Sequence, residues 1–174
     1  MLFRPESLAE FANQTPQIQP LLATIEEMAA AAREALGEER LAWLRCLPRI
    51  QIHSPVALVH ASPEGPWRSP AQTASDAELE SVYGPLGQPI AVYGHIHYSF
   101  IRSAVELTVA NTGSVSLSYD GDRRASYLLL DDSKPAVRRV EYDVDKELRA
   151  LSTCNRPHAD WIAKILSSAS PQMP

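Results

Sequence analysis

Apolar and polar positions along the chain change their period near residue 48. From residue 20 to 36, Leu21, Ile25, Met28 and Ala32 recur at helical spacing, with Pro20 suited to a first turn and Gly37 to a stop. Residues 38–47 continue the pattern through Leu41 and Leu44, with Cys46 or Leu47 inward, until Pro48 ends it. The alanines at 29–32 read as simple helix packing. Earlier, Phe3, Leu8 and Phe11 give a weak apolar face for a short helix after Pro5.

Beyond Pro48 the period falls to two. Arg49-Ile50-Gln51-Ile52-His53 alternates as a half-exposed strand does, and Pro55 separates it from the apolar run Val56-Ala57-Leu58-Val59, so the pair reads as a hairpin. Residues 61–74, rich in Pro, Ser and Gly and carrying Trp67, read as a long loop over strand ends. Ser75-Asp76-Ala77-Glu78 is a capping box that opens a short helix to Tyr83. Further strands are expected near 90–94, 98–101, 105–110, 126–131 and 136–142, with a hairpin turn at Asp120-Gly121. Asp143 caps a helix through Leu151, a last helix covers 157–166, and the Ser/Pro-rich end is expected to fray. The 174 residues therefore read as one domain with a helical front at 1–48, a β-rich part at 49–142 and a helical tail at 143–174.

Composition narrows the function. The net charge of −5 comes without any basic run, which argues against a nucleic-acid surface. The longest apolar stretches are too short to span a bilayer. Arg4, Glu6 and Glu10 leave no apolar signal core, so a cytoplasmic location is expected. Cys46 and Cys154 lie in no C-x-x-C pair and read as reduced thiols.

Three histidines at the ends of apolar runs carry the chemistry. Val56–Val59 leads into His60-Ala61-Ser62-Pro63, and Ile90-Ala91-Val92-Tyr93 leads into Gly94-His95-Ile96-His97. A third run, Leu107-Thr108-Val109-Ala110, ends in Asn111-Thr112-Gly113-Ser114. Ligands bind where buried strands end in loops, and neutral imidazole suits Zn, Mn, Fe or Ni. An extended segment at 95–97 would project both rings to one side. Each histidine also has a plainer reading as a core or loop residue satisfied by backbone. Asn-x-Gly is ordinary turn chemistry, with Ser114 free to cap backbone groups or to help orient a histidine. His53 and His158 match no motif and read as surface residues, while Arg102, Arg123 and Arg124 read as phosphate contacts or solvated loop arginines. Tyr98 is placed to pack beside the histidines.

The ordered series resembles the calcineurin-like metallophosphoesterases, in particular their small bacterial phosphodiesterase-like branch. Leu58-Val59-His60-Ala61-Ser62-Pro63 is similar to the fourth motif of that family and Gly94-His95-Ile96-His97 to the fifth, G-H-x-H. Asn111-Thr112-Gly113-Ser114 is similar to its N-x-G-S turn, with Thr112 where Pro is usual. The resemblance covers most of the chain from Ala29 onward, including the segments 121–127 and 138–144. The D-x-H, G-D and G-N-H-[DE] motifs that precede these in the family have no counterpart; Gly121-Asp122 is the one Gly-Asp pair and follows the fifth motif.

The resemblance implies the C-terminal part of a four-layer α/β/β/α sandwich, a mixed sheet with flanking helices. It implies divalent transition-metal ligands at His60, His95 and His97, with His60 and His95 on one metal and His97 on the other, and Gly94, Asn111, Gly113 and Ser114 as supporting or turn residues. Intact relatives hold two metals (Mn, Fe, Zn or Ni), where one or none is expected here. No catalytic residue is assigned, because the motif with the catalytic histidine is missing. Two cations roughly 3.5–4 Å apart clamp a phosphate, and neutral imidazoles cannot offset their charge without a bridging carboxylate. The expected function is an impaired phosphodiesterase or phosphatase acting on a phosphate ester. The alternative is a non-catalytic remnant serving as a metal-binding or protein-interaction module. A homo-oligomer, a domain swap, the segment 1–36 folded back across the gap, or a separate N-terminal half is expected to cover the open core.

Overall fold

The computed structural model describes residues 19–174, so the weak helix expected around Phe3, Leu8 and Phe11 lies outside the described residues. These residues fall into two compact units.

The first unit includes most of the helical residues. Helix α1 (Gln19–Arg45) is interrupted at Gly37, whose φ of 72° and ψ of 166° leave the helix, so the two helical segments read from the sequence meet at a glycine kink. Helix α3 (Val144–Thr153) begins directly after Asp143. Ahead of helix α4 (Ala159–Ser168), His158 Nε2 sits 2.8 Å from Glu27 Oε2. Residues 171–174 have no regular structure, and the Trp161 indole N–H donates to the Gln172 carbonyl at 2.9 Å.

The second unit is the β-rich part. Its five strands are β1 (Ile50–His53), β2 (Val56–Val59), β3 (Ile90–Tyr93), β4 (Ser99–Ser103) and β5 (Thr108–Thr112), ordered β1-β2-β3-β5-β4. β2, β3 and β5 run parallel in the centre, and β1 and β4 pair antiparallel at the two edges. The division follows composition. Val56–Val59 and Ile90–Tyr93 are apolar at nearly every position and are covered on both faces, whereas alternating β1 stays exposed. Two layers provide that cover. Helix α2 (Asp76–Tyr83) sets Leu79 and Tyr83 against Val59, Ala91, Tyr93 and Val109. On the other face, Leu128 of β6 (Ala125–Asp131) packs on Val56, Ile90, Val92 and Ala110. Each fully buried aliphatic side chain of this kind contributes about 1.5–3 kcal/mol. The expected N-cap forms, with the Ser75 hydroxyl accepting the Glu78 N–H.

The hairpin turn is not at Asp120-Gly121. β6 pairs with β7 (Lys134–Val140) antiparallel, and their tight turn is Asp132-Ser133, both at positive φ. The Asp120 side chain instead takes the N–H of Asp122 in a local turn, and the Gly121 N–H donates to the Ala169 carbonyl. The Asp-Gly signal thus marks an anchored loop between β5 and β6. Among the described residues no helix is long and apolar enough to cross a membrane.

Gly113 fixes how closely β5 approaches the second sheet. Its φ is +70°, and a Cβ there would lie 2.8 Å from Ser126 Oγ and 2.9 Å from Ser99 Cβ. Left-handed backbone costs an L-residue roughly 1–2 kcal/mol and overpacking about 1–3 kcal/mol. Gly113→Ala should therefore lower unfolding free energy by about 2–5 kcal/mol, read from the urea midpoint; an unshifted midpoint would show that the neighbours yield freely.

Candidate metal centre

β2 and β3 are parallel and in register, so both deliver their C-terminal loops to the same edge of the sheet. The first residue past β2 is His60, and the first two past β3 are Gly94 and His95. The Gly94 N–H donates to the His60 carbonyl at 3.0 Å and extends the pairing by one bond. The two side chains meet as a result. His60 Nε2 and His95 Nδ1 are 3.4 Å apart, with the rings edge to face at 5.2 Å between centroids.

The segment 94–97 is not extended. His95 has φ 67° and His97 φ 62°, and the Ile96 N–H donates back to the Gly94 carbonyl at 2.8 Å, closing a three-residue turn centred on His95. Non-glycine residues at positive φ are uncommon and gather at functional sites. The two rings are therefore aimed by separate backbone kinks. His97 goes its own way: its Nδ1 lies 2.7 Å from the Leu117 carbonyl and its ring lies against Tyr119 at 4.7 Å. A carbonyl only accepts, so Nδ1 carries a proton in this contact, and the lone pair of the neutral ring is on Nε2. Tyr98 reaches the same cluster edge-on to Tyr119.

Asn111 secures the turn beneath. It is fully buried, its amide donates to the Gly94 carbonyl, and its Oδ1 accepts the Gly113 N–H at 2.9 Å. Ser114 Oγ accepts the N–H groups of Ser116 and Leu117. The G-H-x-H turn and the N-x-G-S turn are thus one hydrogen-bonded piece.

The long loop after β2 is fastened at several points. The Tyr83 hydroxyl donates to the Ala61 carbonyl at 2.6 Å and the Tyr93 hydroxyl to the Pro70 carbonyl at 3.2 Å. Burial pushes both phenols up, that of Tyr93 to about 12, so both stay protonated donors. Arg102, a candidate phosphate contact, is spent on the carbonyls of Ala74 and Gln72. Arg124 is spent on Asp122. Sequence reading missed the tyrosines, which look like plain apolar-face residues until the loop they hold is seen.

The donor set suits a transition metal in part. Two nitrogens each about 2.0–2.1 Å from one tetrahedral Zn²⁺ lie about 3.4 Å apart, which is the observed His60–His95 separation. Burial lowers the pKa of His60, with His97 adding to it. Burial also lowers that of His95, followed by His60, while a hydrogen bond from the ring to the Trp67 backbone pulls the other way. Both rings are therefore held toward the neutral form, the form in which an imidazole nitrogen can bind a metal. No group of three or more His, Cys, Asp or Glu side chains converges on a metal position among the described residues.

No family model and no curated protein sequence matches the chain at a significant level. Solved structures do match. A metallophosphoesterase from Sphaerobacter thermophilus is 21% identical with a TM-score of 0.65, over 78% of this chain and 63% of that one. A hypothetical protein from Pyrococcus horikoshii is 19% identical with a TM-score of 0.74, over 97% of this chain and 66% of that one. The chain has the calcineurin-like metallophosphoesterase fold and spans just under two thirds of the length of either structure.

The lowered histidine pKa values set a pH dependence. An unfolded imidazole takes its proton near 6.5, whereas His60 and His95 in the native state take theirs only at lower pH. The unfolded chain then binds more protons just below that value, so stability rises with pH through this window and falls as pH drops from 6.5. Urea midpoints measured across the window should drop toward acid in the native chain and drop less in a His60→Gln/His95→Gln variant. Equal slopes would mean that the two rings titrate as free imidazole does.

Proposed function

We propose that this chain is the histidine-bearing part of a divalent-metal phosphoesterase acting on phosphodiesters or phosphate monoesters, and that these residues alone hydrolyse such esters poorly. The observation that carries the reading is the His60–His95 nitrogen pair, 3.4 Å apart at the C-terminal edge of a metallophosphoesterase sheet. His60 and His95 would hold one cation, and His97 would offer Nε2 to a second position. A divalent cation bound there would supply Lewis-acid polarisation of a phosphoryl oxygen. The chain's own part is to orient the ligands. The Leu117 carbonyl fixes the tautomer of His97, the Trp67 backbone bonds to the His95 ring, and Asn111 holds the loop that carries both.

The impairment follows from the donors. D-x-H and G-N-H-[DE] occur nowhere in the sequence and no G-D pair precedes His60, so the motifs that would bring a bridging carboxylate and an acid for the leaving group do not accompany the imidazoles. A second reading, a metal-binding module without turnover, is favoured by the same deficit: among the described residues no third donor joins the pair.

Purified chain titrated with Co²⁺ should show a binding isotherm that His95→Ala and His60→Ala each abolish. With excess Mn²⁺, hydrolysis of an aryl phosphodiester should run at least 10²-fold below that of a metallophosphoesterase carrying the absent motifs, since acid–base assistance alone is typically worth about 10²–10⁴-fold. Binding that survives both alanine variants would overturn the metal assignment. Robust turnover lost on His95→Ala would overturn the impairment.

A further inference from the structure

We propose that Arg139 is a positioning residue for His97, acting through Asp120 on the loop that grips the His97 ring. The proposal rests on the metal reading above for its functional meaning but not for its geometry.

His97 is held by one short segment, residues 117–119. The Leu117 carbonyl takes its Nδ1 proton, the Tyr119 N–H donates to its carbonyl at 3.2 Å, and the Tyr119 ring covers its face. A left-handed residue such as His97 persists only where its surroundings over-determine it. Yet 117–119 belong to no strand or helix. Something else must hold them.

The upstream end is held by Ser114 Oγ, which accepts the Leu117 N–H at 3.0 Å. The downstream end is held by Asp120. Its Oδ1 accepts the hydroxyl of buried Ser118 at 2.8 Å and the Asp122 N–H at 3.2 Å, and its Oδ2 accepts the Ser99 hydroxyl at 3.2 Å. Arg139 closes the arrangement. Its guanidinium pairs with Asp120, donates to Ser99 Oγ at 2.6 Å and lies 3.7 Å from Asp122 Oδ2. The loop is thereby joined to β4 through Ser99 and to β7 through Arg139. With side-chain exposures of 18% for Arg139 and 15% for Asp120, this is a largely enclosed pair rather than a solvated one.

The placement of Arg139 is unusual for its strand. In β7, Pro135, Val137 and Arg139 alternate onto one face, and Arg138 on the other face is exposed. An arginine that ends an otherwise apolar row adds little stability by itself, since an apolar side chain of equal volume often serves as well. What it adds is direction. A guanidinium presents a rigid fork of donors, and this one reaches two chain segments that no apolar residue would join.

The test uses the full chain, metal-free, with ¹⁵N-labelled histidine. His97 should show one tautomer, with the proton on Nδ1. Arg139→Met should mix the tautomers, Arg139→Lys should restore most of the native signal, and the His60 resonances should stay put. Where Arg139→Met fails to fold by circular dichroism, Ser99→Ala removes the hydroxyl between Arg139 and Asp120 and must shift His97 in the same direction. A His97 signal unchanged in whichever of these variants folds, or a native ring protonated on Nε2, overturns the proposal. A Co²⁺ titration then separates the two readings. Loss of a group that directly orients a ligating histidine typically costs about 10–100-fold in metal affinity; Arg139 acts one step further back, so Arg139→Met should weaken Co²⁺ binding at the second, His97 position by up to that factor and have no effect in a His97→Ala background. A tautomer change with Co²⁺ affinity indifferent to His97→Ala supports the positioning role and overturns the ligand role of His97.

Discussion

Parallel pairing of β2 with β3 and of β3 with β5 is the constraint on which the rest depends. Antiparallel neighbours would send successive loops to opposite edges of the sheet; parallel ones bring every C-terminal loop to the same edge. With Val56 opposite Ile90 and Ile90 opposite Thr108, the residues leaving the three strands are His60, Gly94 and the Asn111–Gly113 turn. The Gly94–His60 bond and the Asn111–Gly94 bond then lock these loops together before any side chain acts as a ligand. Burying Val56, Ile90, Val92 and Ala110 on one face and Ala91, Tyr93 and Val109 on the other drives that pairing. Core packing and the placement of the histidines are therefore one requirement. A register slip of one residue would turn every apolar side chain to the other face and separate His60 from His95.

Above that base the backbone is strained, and the strain is local. His95 and His97 both adopt positive φ, a conformation that costs an L-residue roughly 1–2 kcal/mol. Each is offset by its own set of partners. His95 has the turn bond from Ile96 to Gly94 and the Trp67 backbone; His97 has Leu117, Tyr119 and, behind them, Asp120 with Arg139. Gly94 and Gly113 flank this region for different reasons. Gly113 is required by crowding from Ser99 and Ser126, while at Gly94 a Cβ would meet ordinary contacts. The glycine of the N-x-G-S turn is thus the less replaceable of the two on steric grounds.

Most of the fold was legible in the sequence because its signals are local. The apolar runs, the N-cap at Ser75 and the glycine stop at residue 37 each act within a few residues, and they appear where the pattern places them. The misread features depend on distant partners. Asp120-Gly121 has the composition of a hairpin turn, yet Asp120 is drawn to Arg139, nineteen residues on, and the tight turn falls to Asp132-Ser133. Arg102 looked like a free loop cation, yet two carbonyls of the 61–74 loop hold it. The sequence suggested a flat presentation for His95 and His97, because period-two reasoning holds only in extended chain; the Ile96–Gly94 bond removes that premise.

The carboxylates decide how much metal this edge could carry. Two divalent cations placed side by side need negative ligands between them, and the imidazoles supply none. Within the loop that grips His97 the carboxylates are Asp120 and Asp122, and both are committed. Burial pushes the Asp120 carboxyl up, but hydrogen bonds from Arg139 and Ser118 more than reverse this and hold it at about 2. Asp122 lies below the ordinary carboxylate range, chiefly through its hydrogen bonds with Arg124. Drawing either one toward a metal would leave a largely enclosed guanidinium or a chelated arginine without its partner, and an uncompensated charge of the enclosed kind is strongly destabilising. The acidic groups of this loop thus hold the segment that bonds the His97 ring. Any negative charge that two adjacent cations required at this edge would have to come from a carboxylate outside this loop.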